Sequence, residues 1–142
     1  MGMRFIDKIL KRKETKEKLK LQGKNRFLVS VGHAMDGIEY TCRHERNFRI
    51  ELVFTFLVFV ASVFFKVSVM EWVILLLTIA LVLVCEVINT AVERCVDLVT
   101  KEYHDLARIA KDVSAGAVFL VSLFSVVIGV SIFLPKIMIY FK

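Results

Sequence analysis

Three stretches of the chain abandon the mixing of polar and apolar positions altogether. Leu52 to Phe65 carries no charge, Trp72 to Val92 carries only Glu86, and Val113 to Pro135 carries none. The first run reaches back to about Phe48 if Arg49 and Glu51 snorkel or face protein. A bilayer's hydrocarbon layer takes roughly 20 mostly apolar residues in helical form. The pattern therefore predicts an all-α integral membrane protein with three crossing helices, at about 48–66, 70–92 and 113–135.

Upstream the pattern changes. In residues 26–46, Phe27, Leu28, Val31, Ala34, Met35 and Ile38 recur at helical spacing, while Arg26, Ser30, His33 and Gly37 form a second stripe. An amphipathic surface helix whose polar stripe faces protein or ligand produces this. Residues 3–21 put Phe5, Ile6, Ile9 and Leu10 on one face among lysines. That stretch reads either as a basic helix lying on anionic lipid or as a loose basic tail. Gly23 to Asn25 then separates a basic tail, 1–25, from a three-helix membrane domain, 26–142.

Composition adds one small domain, since 142 residues at 57% hydrophobic and mean hydropathy +0.66 leave too little interior to hide that apolar content in water. Charge adds orientation. Thirteen of the 20 Lys and Arg precede residue 50, and Arg94, Lys101, Arg108 and Lys111 lie between the second and third spans. Basic residues stay on the cytoplasmic side. The N-terminus and the second connection are expected inside the cell membrane and the C-terminus outside, with lipid rather than nucleic acid as the charged partner. The charged N-terminus is no cleavable leader, so the first span is expected to direct insertion. Cys42, Cys85 and Cys95 lack metal-ligand spacing and read as reduced thiols. Ser122, Ser125 and Gly129 offer small-residue spacing for close helix contact.

The chemistry gathers at the end of the second span. With Glu86 at zero and about 100° per residue, Asn89 falls near −60°, Glu93 near −20° and Asp97 near +20°, one stripe about 80° wide. Facing lipid would cost roughly 3 kcal/mol per acid. The stripe must face protein, water or a cation. The plainer reading is an ion-pair network with Arg46, Arg49, Arg94 and Lys111. The functional reading is that carboxylates suit Mg²⁺, which binds through one or two of them plus phosphate oxygens, with Lys111 and Arg26 available to those phosphates. A carboxylate beside lipid also suits a general base for a lipid hydroxyl. Together these parts point to phosphoryl transfer from a nucleotide to a lipid alcohol. Neither GxxxxGK[ST] nor a kinase Gly-rich loop is present, so the nucleotide site is unconventional. A proton-coupled transporter is the competing class. It leaves the polar stretch "KEYHDLARIAKD" without a task and lacks an acid in the third span.

The residues "EVINTAVERCVDLVTKEYHDLARIAKD", with "HERNFRIE" at 44–51, resemble the small prokaryotic diacylglycerol kinase family. The likeness covers roughly residues 26–134, and its long fixed pattern is specific. It implies a homotrimer of three-span protomers with active sites between protomers. It further implies Glu86 as catalytic base, Asn89 positioning that base or the substrate, and Glu45 and Glu93 holding the magnesium that accompanies ATP. Arg26, Glu102, Tyr103, His104, Lys111 and Asp112 would contact ATP, and Asp97 would be structural. His33 and Ala34 stand where the best-known members carry Tyr and Ser, and Asp36 departs from a usual basic or neutral residue. His33 is nonetheless kept as a nucleotide-side candidate. The forms "ERNFRI", "VDLVT" and "IAKD" resemble the Gram-positive branch, which implies undecaprenol as acceptor, with diacylglycerol the alternative.

Overall fold

The structure, a computed structural model, describes Lys11, Glu14 and residues 26–142, with the Arg26 side chain left out. The expected basic tail therefore lies outside the described residues, apart from those two positions. Four helices follow in order: α1 (Arg26–His44), α2 (Arg46–Phe64), α3 (Val69–Val99) and α4 (Asp105–Tyr140). No strand occurs among the described residues. The chain divides into two compact units between Tyr40 and Thr41, each of which is considered by itself. In the first, Phe27, Leu28, Val31, Met35 and Ile38 are exposed on α1.

The second unit holds the three helices that are long and apolar enough to cross a membrane. Phe56, Leu77 and Phe124 are exposed on the outer surface, and α4 has no fully buried residue. In water such a surface would drive association. In hydrocarbon it is simply solvated, which is what the uncharged runs require.

The observed helices outrun the expected spans. At 1.5 Å per residue, α3 with 31 residues is about 46 Å long and α4 with 36 about 54 Å, against a hydrocarbon layer of about 30 Å. Charge was the cue for ending the spans at 92 and starting again at 113, but charge does not stop a helix. No Gly or Pro lies between Glu93 and Val99, so the hydrogen-bond ladder continues until Thr100. Nor does Pro135 end α4. Its missing N–H leaves the Ser131 carbonyl without its ladder partner, a loss tolerated in membrane helices.

At the α2–α3 connection the backbone turns through Lys66 at φ 49°. Val67 N–H donates to Ser62 O at 3.1 Å and Lys66 N–H to Val63 O at 3.2 Å, a closing motif that normally places glycine where Lys66 stands. Ser68 then opens α3 with a capping box. Its hydroxyl accepts from Glu71 N–H at 3.3 Å, and Ser68 N–H donates to Glu71 Oε2 at 2.6 Å. Lys136 Nζ reaches the same carboxylate oxygen at 3.0 Å, tying α4 to α3. Phe64 and Phe65 pack against Tyr140, and Phe65 also against Phe133.

Candidate active site

The opposite end of α3 is built differently. One helix period brings Glu86, Asn89 and Glu93 to the same face, and the structure buries the first two to 2% and 8% exposure. Thr90 returns its hydroxyl to the Glu86 carbonyl at 2.9 Å. The Glu86 Oε2 atom is buried with no hydrogen-bond partner. Glu51 Oε2, on α2, is in the same condition, and the two carboxylates lie within electrostatic reach of one another. A buried carboxylate oxygen left unpaired costs several kcal/mol. Two of them lie close together here, on α2 and α3.

Both line one cavity of about 590 Å³ between α2, α3 and α4. Its acid end carries Asn47, Glu51, Glu86 and Asn89. From there it continues between apolar side chains such as Val58, Leu75, Val118 and Val126, as far as Phe133. Ala115 to Phe133 alone spans about 27 Å of α4 at 1.5 Å per residue, so the cavity runs through most of a bilayer's depth. It offers a polar end and a long greasy wall in one space.

Next to it lies a charged network. Asn89 Nδ2 donates to Glu93 Oε1 at 3.3 Å, and the Ser114 hydroxyl reaches Asn89 Oδ1 at 2.6 Å. Glu45 and Glu93 both stand within electrostatic reach of Glu86. Glu45 is the N-cap residue of α2 but makes no side-chain cap, which leaves its carboxylate free to take Arg94 at 2.7 Å. Arg94 also approaches Asp97 at 3.7 Å, and Lys111 Nζ meets Asp97 Oδ1 at 2.5 Å. The ion-pair reading thus describes Asp97, half exposed between two cations. It does not describe Glu86, which no cation meets among the described residues. Arg49 turns away from the acids and donates to the last carbonyls of α1, at Cys42 and Arg43.

The remaining expected residues spread along the α3–α4 corner. Thr100 closes the turn by accepting from Glu102 N–H at 3.1 Å. His104 is the N-cap of α4, its Nδ1 accepting from Leu106 N–H at 3.2 Å, so the ring proton sits on Nε2. Tyr103 donates to Asp105 at 2.9 Å, and Arg108 pairs with Asp112 at 2.8 Å. Glu102, Tyr103, His104 and Asp112 are all exposed to solvent. His33 lies exposed in the other unit. Among the described residues no group of three His, Cys, Asp or Glu side chains can hold a metal by itself.

Two participants escaped the sequence reading. Ser114 was one helical serine among several. Glu51 was taken for a residue at the edge of a span, although a signal existed: Asn47, Glu51, Thr55 and Ser62 make a polar stripe at helical spacing along α2, which is apolar elsewhere beyond Arg49.

Residues 32–133 match the sequence profile of the prokaryotic diacylglycerol kinases. An undecaprenol kinase of Bacillus subtilis (strain 168) is 43% identical over 112 residues, which are 79% of this chain and 91% of that protein. A diacylglycerol kinase of Synechocystis sp. is 39% identical over 113 residues, 79% of this chain and 65% of that protein. A diacylglycerol kinase of Escherichia coli (strain K12) is 30% identical over 105 residues, 74% of this chain and 86% of that protein. A family of lipid kinases displaces the transporter alternative and makes ATP the expected phosphoryl donor. With three membrane-crossing helices and a polar end opening into a greasy cavity, the chain belongs to the prokaryotic diacylglycerol kinase family and is a lipid kinase.

Proposed function

We propose that the protein phosphorylates undecaprenol with MgATP, and that diacylglycerol is the weaker acceptor. The observation carrying the site assignment is the buried, unpaired Glu86 oxygen at the polar end of an apolar cavity. A primary alcohol there hydrogen-bonds to that oxygen while its hydrocarbon lies along α2 and α4. The choice of undecaprenol rests on the 43% identical relative of that name, whose length this chain nearly covers.

In this reading Glu86 accepts the acceptor's hydroxyl proton as the alcohol oxygen bonds to the γ-phosphorus. The bond from that phosphorus to the β–γ bridging oxygen breaks, and ADP leaves. General-base assistance of this kind contributes about 10² to 10⁴ in rate. Glu51 faces the same hydroxyl from α2. Glu45 and Glu93 would hold Mg²⁺, an ion that takes one or two carboxylates and completes its shell with phosphates and water, with Glu45 exchanging its Arg94 contact for the ion. When bound, it neutralises phosphate charge. Arg94 and Lys111 hold the neighbouring acids and are the cations nearest to incoming phosphates. Arg26, His33, Glu102, Tyr103, His104 and Asp112 are assigned to the nucleotide by family likeness. Asn89 orients Glu93.

The assembly proposed is a homotrimer with sites completed between protomers, lying in the cell membrane with the N-terminus and the α3–α4 corner cytoplasmic and α1 on the surface. The deciding experiment gives the purified protein γ-labelled ATP with undecaprenol or diacylglycerol in equal mole fraction. Preferential labelling of undecaprenol is expected. Preferential labelling of diacylglycerol would reverse the substrate assignment, and label in neither would end the kinase-site reading.

A further inference from the structure

We propose that Ser114 is a positioning residue of the phosphotransfer site, whose hydroxyl fixes the Asn89 amide in the one orientation that donates to Glu93. The inference rests on the site reading above and assigns a residue that it leaves unused. Ser114 Oγ lies 2.6 Å from Asn89 Oδ1 and 2.9 Å from the Lys111 carbonyl. A hydroxyl has one proton, so one of these contacts takes most of it.

The neighbours decide which. The Asn89 amide presents its nitrogen to the Glu93 carboxyl oxygen, at 3.3 Å. Asn89 Oδ1 is thereby turned toward Ser114 and needs a donor. The Lys111 carbonyl needs none, because within α4 it receives the Ala115 N–H of the helix ladder. The proton therefore goes to Asn89, and the order of donation is Ser114 to Asn89 to Glu93. Each donor in such a row polarises the next. Without the hydroxyl, the half-buried Asn89 Oδ1 loses its donor, the amide is held only at its Glu93 end, and Glu93 keeps a more loosely held orienting partner. The pair also links helices, since Ser114 sits on α4 and Asn89 and Glu93 on α3. A serine acting only as interhelical glue would look the same in a static picture, so the test must separate the two roles.

The experiment compares wild type, Ser114→Ala and Ser114→Thr, first without nucleotide or metal and then in turnover. In the bare protein, the Asn89 side-chain amide signals, identified by their loss in Asn89→Ala, are expected to shift and exchange faster in Ser114→Ala and to return in Ser114→Thr. In turnover, Ser114→Ala is expected to raise the half-saturating Mg²⁺ concentration about tenfold, the lower range for removing a partner that orients a metal ligand. Its KM for the lipid acceptor should stay at the wild-type value, and any fall in its thermal midpoint should be small and reversed in Ser114→Thr, which restores the buried amide's donor. Unchanged amide signals with unchanged Mg²⁺ dependence would overturn the proposal. So would a loss of activity that tracks a lowered thermal midpoint and is not restored by Thr, since that marks packing alone. A wild-type protein that labels no lipid would fail earlier and separately, at the site reading itself.

Discussion

The two ends of the α3–α4 pair treat their polar groups in opposite ways. At the end beside Lys66, Ser68 and Glu71 satisfy one another, Lys136 completes the same carboxylate, and Phe64 packs on Tyr140. At the other end, Glu51 and Glu86 each retain a buried oxygen with nothing to bind. The first end resembles a fastening, stable as it stands. The second leaves two carboxylate oxygens unpaired, which is where the proposed function places the lipid alcohol. Both ends carry glutamates in or beside an apolar helix, so residue type alone would not separate structure from chemistry. What separates them is whether each charge has an internal partner.

The sharpest way to break this contrast is Glu86→Gln, which keeps shape and removes the base. Turnover is expected to fall about 10³-fold, within the range for lost general-base assistance, with oligomer size unchanged by gel filtration. Near wild-type turnover would place the base elsewhere. Next in size, Glu45→Gln and Glu93→Gln should each raise the Mg²⁺ needed for half-maximal rate by about 10- to 100-fold, read by titrating Mg²⁺ at fixed ATP, with the lipid KM nearly constant. Glu51→Gln should lower kcat/KM for the lipid by less than the roughly 10²-fold minimum for a lost general base, and leave the Mg²⁺ titration in place.

At the fastened end the expected signs change. Lys136→Met should lower the thermal midpoint by a few degrees while kcat and Mg²⁺ dependence hold, measured on one preparation by both assays. A kinetic effect as large as that of Glu51→Gln would erase the distinction between the ends. The smallest effect belongs to Lys66→Gly. A non-glycine residue in the left-handed region costs about 1 kcal/mol or slightly more, so the substitution should raise stability by about that amount in a denaturant titration and leave catalysis alone.

The amino-acid sequence shows one side of this contrast, the acid face of α3, and is silent on the fastened end. Uncharged runs fixed the number of crossing helices, because hydrocarbon excludes charge whatever the tertiary arrangement. The helical period placed Glu86, Asn89 and Glu93 on one face, because that spacing is local. Helix ends were less legible. The ladder runs on through charged residues to Val99 and through Pro135 to Tyr140, and neither charge nor one lost hydrogen bond is decisive. Least legible were the partners across helices. That Arg94 would take Glu45, 49 residues away, or that Ser114 would take Asn89, depends on the rotation of packed helices, which no single-helix pattern encodes. Arg49 and Glu51, both expected at the edge of a span, parted company for the same reason. One found the α1 carbonyls and the other found the cavity.

The surplus length of α3 has a consequence for traffic between two phases. Beyond Val92 the helix runs on for seven residues, about 10 Å, and carries Glu93, Arg94 and Asp97 up out of the oil. On the proposed function, a water-borne donor would moor on this jetty without entering hydrocarbon, while the acceptor's greasy tail stays submerged and lifts only its alcohol to the waterline.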